Sequence, residues 1–247
     1  MKKYSNFETS QAKFRHVLIS MYNSWKRGGV QMYVYNVLRT INLTGLEINI
    51  YISHEVEDLS FLDSLLKIPN SKITLYAGEG KKFHILNNIK CLISLMSLTN
   101  YDVIHVNTGN LFFQAVNLFL AKCFNIPFRV AHSHNAVVDL KSISRYKLVR
   151  IIKRISYKIS RALINVNANH FFACSEVAGT WLFGKKVWKK RGELKKNGII
   201  LEDFSYDEDA RNKIRNEYNI KKECSLIGLI ANFNIQKNQS FLLNVFY

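Results

Sequence analysis

The stretch FRVAHSHNAVV, residues 128–138, places His132 and His134 one residue apart where an apolar run gives way to polar residues. In an extended strand alternate side chains share a face, so the two imidazoles can converge on one point. Ligation of a metal, relay of a proton and contact with a phosphate would each suit such a pair. A zinc site would also need a carboxylate and further histidines placed with the pair, and none is evident in the sequence. Residues of useful type recur where other apolar runs end. Gly28 and Gly29 follow FRHVLIS (14–20), His105 and Asn107 close YDVIHVN (101–107), Asn135 follows the second histidine, and Ser175 ends HFFACS (170–175). A Gly-Gly turn before a helix lets backbone N–H groups approach an anion. Ser175 can cap the helix that follows it.

These residues need a framework that brings strand ends together. Short β-type runs at 14–20, 46–53, 72–77, 101–107, 128–133 and 170–175 alternate with helical periodicity, for example Val34, Val37, Leu38 and Ile41 on one face and LFFQAVNLFLAKCFN (111–125) ending before Pro127. Sustained alternation predicts a parallel sheet with helices on both faces, a doubly wound Rossmann-like α/β domain. Open sheets of this kind bind ligands at the carboxyl ends of their strands, where the strand order reverses. Gly28, Gly29, Asn107, His132 to Asn135 and Ser175 all fall at such ends.

Thirty-five basic residues against 18 acidic ones leave a net charge of +17. Most of the excess sits in two segments, 141–161, with eight Lys or Arg and no acid, and 185–196, with seven and one Glu. In the first, Leu148, Ile152, Ile155 and Ile159 share one helical face, while Lys147, Arg150, Arg154, Lys158 and Arg161 occupy another. A basic amphipathic helix of this kind is either a domain helix with a solvated outer face or a docking element for an anionic surface. No nucleic-acid module accompanies the charge, so the expected surface is a membrane and not a nucleic acid. No apolar run is long enough to span a bilayer, and the N-terminus lacks the apolar core of a signal peptide. Cys91, Cys123, Cys174 and Cys224 form no CxxC pair and read as reduced thiols. The expected location is cytoplasmic, peripheral at the inner face of a membrane.

The loop GGVQMYVYN, AHSHN at a central strand end, FFACSEVAGTWLFGKK, the linker NGIILEDF and GLIANFNIQKNQSFLL occur in the order found in bacterial glycosyltransferases of family 4, of the exopolysaccharide and capsule type. The chain resembles that family from about residue 14 onward. The resemblance implies the GT-B fold, two Rossmann-like domains facing across a cleft, the first taking the acceptor and the second a nucleotide-sugar. It implies transfer with retention of configuration, no active-site metal and no cofactor beyond the sugar donor. The partners it implies are a nucleotide-sugar, a saccharide or lipid-linked acceptor and an anionic membrane surface. Residues 1–200 correspond to the acceptor-side domain, 201–219 to a linker and helix, and 220–247 to the start of a truncated donor-side domain.

Carried onto this sequence, the resemblance makes His134 the strand-end histidine near the reacting sugar. Gly28 and Gly29 become the glycine loop, and Asn107, Asn135 and Ser175 border the substrate. His132 becomes an inner structural residue, expected to point into the domain while His134 faces the cleft. Several positions depart from the pattern: Asn135 where many relatives have Asp, Lys196 before Asn197-Gly198 where proline is usual, and Ala231, Asn232 and Phe233 in place of GRF. Lys237 stands where a donor-phosphate lysine is expected, and Asn232 cannot supply the guanidinium's charge and fork of donors. The glutamate pair that holds the donor in relatives would fall after Tyr247, so the chain alone is expected not to transfer sugar. A second class stays open, a non-catalytic membrane-associated binding or scaffold protein on the same fold.

Overall fold

In a computed structural model, which describes residues 1–5, 15–80, 84–135, 146–231, 233 and 237–245, the chain divides into two compact units, Met1–Ile199 and Ile200–Tyr247. The larger unit runs β1 (Lys2–Ser5), β2 (Arg15–Met21), α1 (Gly29–Thr40), β3 (Leu46–Ile52), α2 (Leu59–Leu66), β4 (Lys72–Ala77), α3 (Ile85–Leu98), β5 (Val103–Asn107), α4 (Leu111–Cys123), β6 (Phe128–Ser133), α5 (Lys147–Asn167), β7 (His170–Ala173), α6 (Glu176–Phe183), α7 (Lys185–Arg191) and β8 (Gly192–Leu194). The eight strands form one sheet in the order β1-β4-β3-β2-β5-β6-β7-β8. Only β1 is antiparallel, pairing Lys2 with Ala77 and Ser5 with Thr74 on β4. The rest is parallel, with β2 between β3 and β5. The chain winds outward from β2 through β3 to β4, then crosses to β5 and winds the other way. This is the doubly wound Rossmann-like arrangement predicted from the alternation, and the order reverses between β2 and β5.

Alternation along the strands sorts the core into two layers. Ile19, Met21, Ile48, Ile50, Ile52, Ile73 and Leu75 pack with Val34 and Leu38 of α1 and Phe61, Leu62 and Leu65 of α2. On the opposite face Leu18, Ile104, Val106, Ala131 and Phe171 pack with α3, α4 and α6. Each fully buried aliphatic side chain contributes roughly 1.5–3 kcal/mol, so the layers fix the strand registers and hence which residues meet at the carboxyl ends. Helix starts are set locally. Asp58 accepts from Phe61 N at the start of α2, Asn110 from Phe113 N at α4 and Ser175 from Ala178 N at α6.

Both sheet margins are short. β1 carries Lys2 and Lys3, and β8 has three residues, with Glu193 paired to Lys195 at 2.9 Å. Trp188 holds β8 in place. A Cβ on Gly192 would stand 2.1 Å from its ring, so only glycine allows that approach.

The smaller unit contains a 3₁₀ turn (Leu201–Phe204), α8 (Glu208–Glu217), capped by Asp207, and α9 (Gln239–Val245). The strand expected within 224–234 does not form in its described part, and Leu226, Ile227, Leu229 and Ile230 are exposed. A β-strand is stable only when its N–H and C=O groups find a ladder partner, and among the described residues none lies beside it.

The basic helix corrects its sequence reading. The described helix is α5, while 141–145 fall outside the described residues. Of its two sequence readings, a domain helix with a solvated outer face or a docking element for an anionic surface, the first requires the isoleucine row to pack inward. Instead the partly or fully buried residues are Arg150, Lys153, Ser156, Tyr157, Ser160, Arg161, Ile164, Asn165 and Asn167, while Lys147, Arg154 and Lys158 of the basic stripe are exposed. Ile152, Ile155 and Ile159 are 57%, 52% and 56% exposed. Among the described residues no helix is long and apolar enough to cross a membrane.

Candidate active site

The carboxyl ends of β2, β5 and β6 bound a polar cleft of about 460 Å³ where the strand order reverses. Tyr22 and Asn23 come from the segment after β2, Thr108 to Leu111 from the turn into α4, Asn135 from the end of β6, and Lys153 and Tyr157 from α5. Two close fits shape it. A Cβ on Gly109 would meet the Asn135 amide nitrogen at 2.0 Å, so that glycine lets Asn135 lie flat against the turn. On the sheet face that carries α4, Gln114 is fully buried and its amide donates to the carbonyls of Val106 and His132, both at 3.2 Å. It clamps β5 and β6 together just before they reach the cleft.

His105, His132 and His134 lie on the sheet face that carries α1. The rings of His105 and His132 stack 5.2 Å apart at 4°, and His132 and His134 stack 4.1 Å apart at 30°. Tyr33, one turn into α1, sets its ring against both His132 and His134 at 5.1 and 5.2 Å. His105 Nε2 and His132 Nδ1 share a hydrogen bond of 3.1 Å. His132 therefore points into the domain, where the resemblance put it, while His134 lies on the same face with its ring tilted by 30° and is not among the residues that line the cleft. They differ in depth, since His132 is 0% exposed and His134 is half-buried.

His134 Nε2 lies 2.9 Å from Asn107 Oδ1, and the Asn107 amide nitrogen donates to the carbonyl of His105 at 3.3 Å. That second bond orients the Asn107 amide, so its oxygen accepts and His134 must carry its proton on Nε2. Nδ1 then holds a lone pair, and it is buried without a partner. Burial holds the His134 ring at about 4. Burial, with the neighbouring His134 adding to it, takes His105 to about 3. His132 is lowered further by burial and by both other imidazoles. The stack is neutral at pH 7, so it offers hydrogen bonds and no positive charge. Among the described residues no group of three His, Cys, Asp or Glu is placed to hold a metal ion. The positive group at the cleft is Lys153.

The remaining candidates fall as follows. Gly28 is the extended residue before α1 and makes no side-chain cap, leaving the helix start to its backbone N–H groups. Gly29 begins the helix one turn before Tyr33. Neither glycine has a positive φ. Ser175 caps α6, and Ser133 donates to the Ala178 carbonyl at 2.9 Å, which docks the start of that helix against the end of β6. Lys237 lies in the smaller unit and is exposed, and Asn232 is outside the described residues. Tyr33, Lys153, Tyr22 and Gln114 were not singled out in the sequence. The polar Gln114 inside an apolar helical run is the only one of the four that left a signal there.

The chain is 27% identical over 240 residues, 96% of its length, to Putative glycosyltransferase EpsF of Bacillus subtilis (strain 168). It is a relative of a glycosyltransferase-type protein. No protein-family model matches it. Crystal structures of HepE from Anabaena superpose on it. The complex with UDP gives a TM-score of 0.58 at 13% identity over 82% of this chain, and the complex with UDP-glucose gives 0.58 at 14%. These structures share the Rossmann-like fold. The chain spans 58% of EpsF and 50% of the HepE chains.

Proposed function

We propose that this chain takes part in transfer of a glycosyl group from a nucleotide-sugar to a saccharide acceptor, with retention of configuration, in the synthesis of a cell-surface polysaccharide. The observation that carries this reading is the His134–Asn107 pair, which closes the ends of β5 and β6 in a chain related to EpsF along 96% of its length. A sugar presents hydroxyls, and a buried neutral imidazole with a free lone pair at Nδ1 is suited to accept from one. Asn107 holds the tautomer that leaves this lone pair available, while Lys153 brings positive charge to the cleft for a phosphorylated group. Retention follows from the family resemblance and is read directly from the anomeric configuration of the product.

The decisive experiment follows transfer from UDP-sugars to extracted saccharide acceptors. The chain is assayed as it stands and joined to the part of EpsF outside the matched region. In whichever form is active, His134→Ala should lower kcat by about 100-fold, the usual scale for loss of a positioned hydrogen-bonding group at a reacting centre. Full activity of that variant, or no transfer and no UDP-sugar binding in either form, would sink the proposal.

The protein is further proposed to work at an anionic membrane surface. The exposed isoleucines of α5, flanked by Lys147, Arg154 and Lys158, support this, since each basic residue near such a surface contributes about 1 kcal/mol. Binding to phosphatidylglycerol vesicles should weaken as salt is raised, and equal binding to neutral vesicles would contradict it.

A further inference from the structure

Helix α5 carries a second periodicity besides the one that seats it on the sheet. Leu148, Ile152, Ile155, Ile159, Ala162 and Val166 follow one another at intervals of four, three, four, three and four residues, and all six are exposed. Such spacing keeps apolar side chains in one line, the pattern by which one helix packs along another. Across from it Phe112 and Phe119 of α4 stand seven residues apart, both exposed. The two rows wall a groove of about 380 Å³ that runs from Ile152 to Leu163 on α5 and is almost wholly apolar. That is roughly three turns of helix. On the other face of the sheet α1 and α2 together expose one large apolar side chain among the described residues, Leu59, so the row is particular to this layer. Charge is distributed as sharply. Ser156 and Ser160 flank the α5 row on the side of α4, while Lys147, Arg154 and Lys158 flank it on the far side and are exposed. Neither α4 nor α5 contains an Asp or Glu.

We propose that the groove between α4 and α5 is the docking site for an amphipathic helix of a separate protein, apolar at heptad spacing and acidic along one edge. Its apolar stripe fills the groove as the third member of a three-helix packing, and its acidic edge meets Lys147, Arg154 and Lys158. Three kinds of occupant would take the row out of water, and geometry and charge separate them. A second copy of this chain brings the same three cations, with no acid on α4 or α5 to offset them. A bilayer has no register, so it gains nothing from side chains spaced at heptad intervals on two facing walls, whereas the ridge of a helix does. Helix and bilayer exclude one another at the isoleucines. The inference does not rest on sugar transfer, and its test uses neither donor nor acceptor.

The probe is a designed three-heptad peptide with leucine at both seam positions of each heptad, glutamate along one edge and glutamine elsewhere. A twin carries lysine in place of each glutamate. Both are labelled and titrated with the full chain by fluorescence anisotropy, below the concentration at which the peptides pair with themselves. The expected result is one peptide per chain, with the glutamate form bound about tenfold tighter than the lysine form. Ile155→Asn should weaken the glutamate peptide about tenfold with an unchanged Tm, and Leu59→Asn, on the other layer, should leave binding as it was. Arg154→Glu combined with Lys158→Glu should reverse the preference and favour the lysine twin. Equal affinity for the two peptides, or equal loss in Ile155→Asn and Leu59→Asn, would show adsorption to any greasy surface and overturn the proposal. Binding of neither peptide would overturn it as well: a chain that then binds vesicles gives the row to the bilayer, and one that self-associates until Ile155→Asn is introduced gives it to a second copy.

Discussion

The histidine stack and the outer face of α5 depart from the usual division of inside and outside in opposite directions. The stack puts three titratable rings in a dry place, and α5 puts a row of isoleucines in a wet one. The first is tolerable because the rings are neutral, face one another and are tied to each other and to Asn107. The second has no such compensation among the described residues, where Ile152, Ile155 and Ile159 are each more than half exposed. Polarity that is buried, neutral and mutually tied serves as internal structure, and the one lone pair it leaves open, at His134 Nδ1, is available to a ligand. Apolar surface that is exposed and contiguous points outward, to a ligand or a membrane.

The largest test of this contrast is pH. All three histidines have folded values below the unfolded value near 6.5. As pH falls below that, the unfolded chain takes up protons that the folded stack refuses. The contribution is therefore complete above about pH 6.5 and is lost as pH falls toward the folded values. Three such groups give a slope of up to about 4 kcal/mol per pH unit, measured as urea unfolding free energy between pH 7 and 4. A flat profile there would mean the stack is charged or open, and the contrast with α5 would collapse. Next in size is His132→Leu, which leaves His105 Nε2 buried without its partner and should cost about 1–3 kcal/mol while making the acid slope shallower. Ser175→Ala should cost about 1 kcal/mol by urea unfolding, because it removes the cap that seats α6 beside the end of β6. Ile152→Asn should change stability by less than about 0.5 kcal/mol yet weaken vesicle binding, the signature of a residue that serves something outside the fold.

Much of this arrangement was legible in the sequence, and the parts that were not share a cause. Period-two alternation in VIHVN and FRVAHS placed Asn107 and His132 at strand ends and put His132 and His134 on one face, because the pleat is a local property. Which face that was, and that Tyr33 would meet both rings, depended on where α1 packs across the sheet. No local pattern encodes that. The isoleucine row of α5 was likewise plain from helical spacing, but spacing does not say which residues of the helix turn inward. That was decided by a polar cleft assembled from Asn23, Asn110 and Asn135, which took Lys153 and Tyr157 and left the isoleucines out. The run at 225–230 shows the same limit from the other side. Its residues have the composition of a strand, but a strand also requires a neighbour, and composition cannot supply one.

The two short sheet margins also bear on how this protein can meet copies of itself. An open β edge is a template onto which another chain can add strand after strand, the usual start of uncontrolled assembly. Here one margin ends in a four-residue antiparallel strand carrying Lys2 and Lys3, and the other in a three-residue strand flanked by Glu193 and Lys195. Neither offers a long, flat, uncharged ladder. In crowded or concentrated solution, growth by strand addition is therefore blocked at both ends. At these two margins contact between molecules is left to side chains, which make a finite number of contacts.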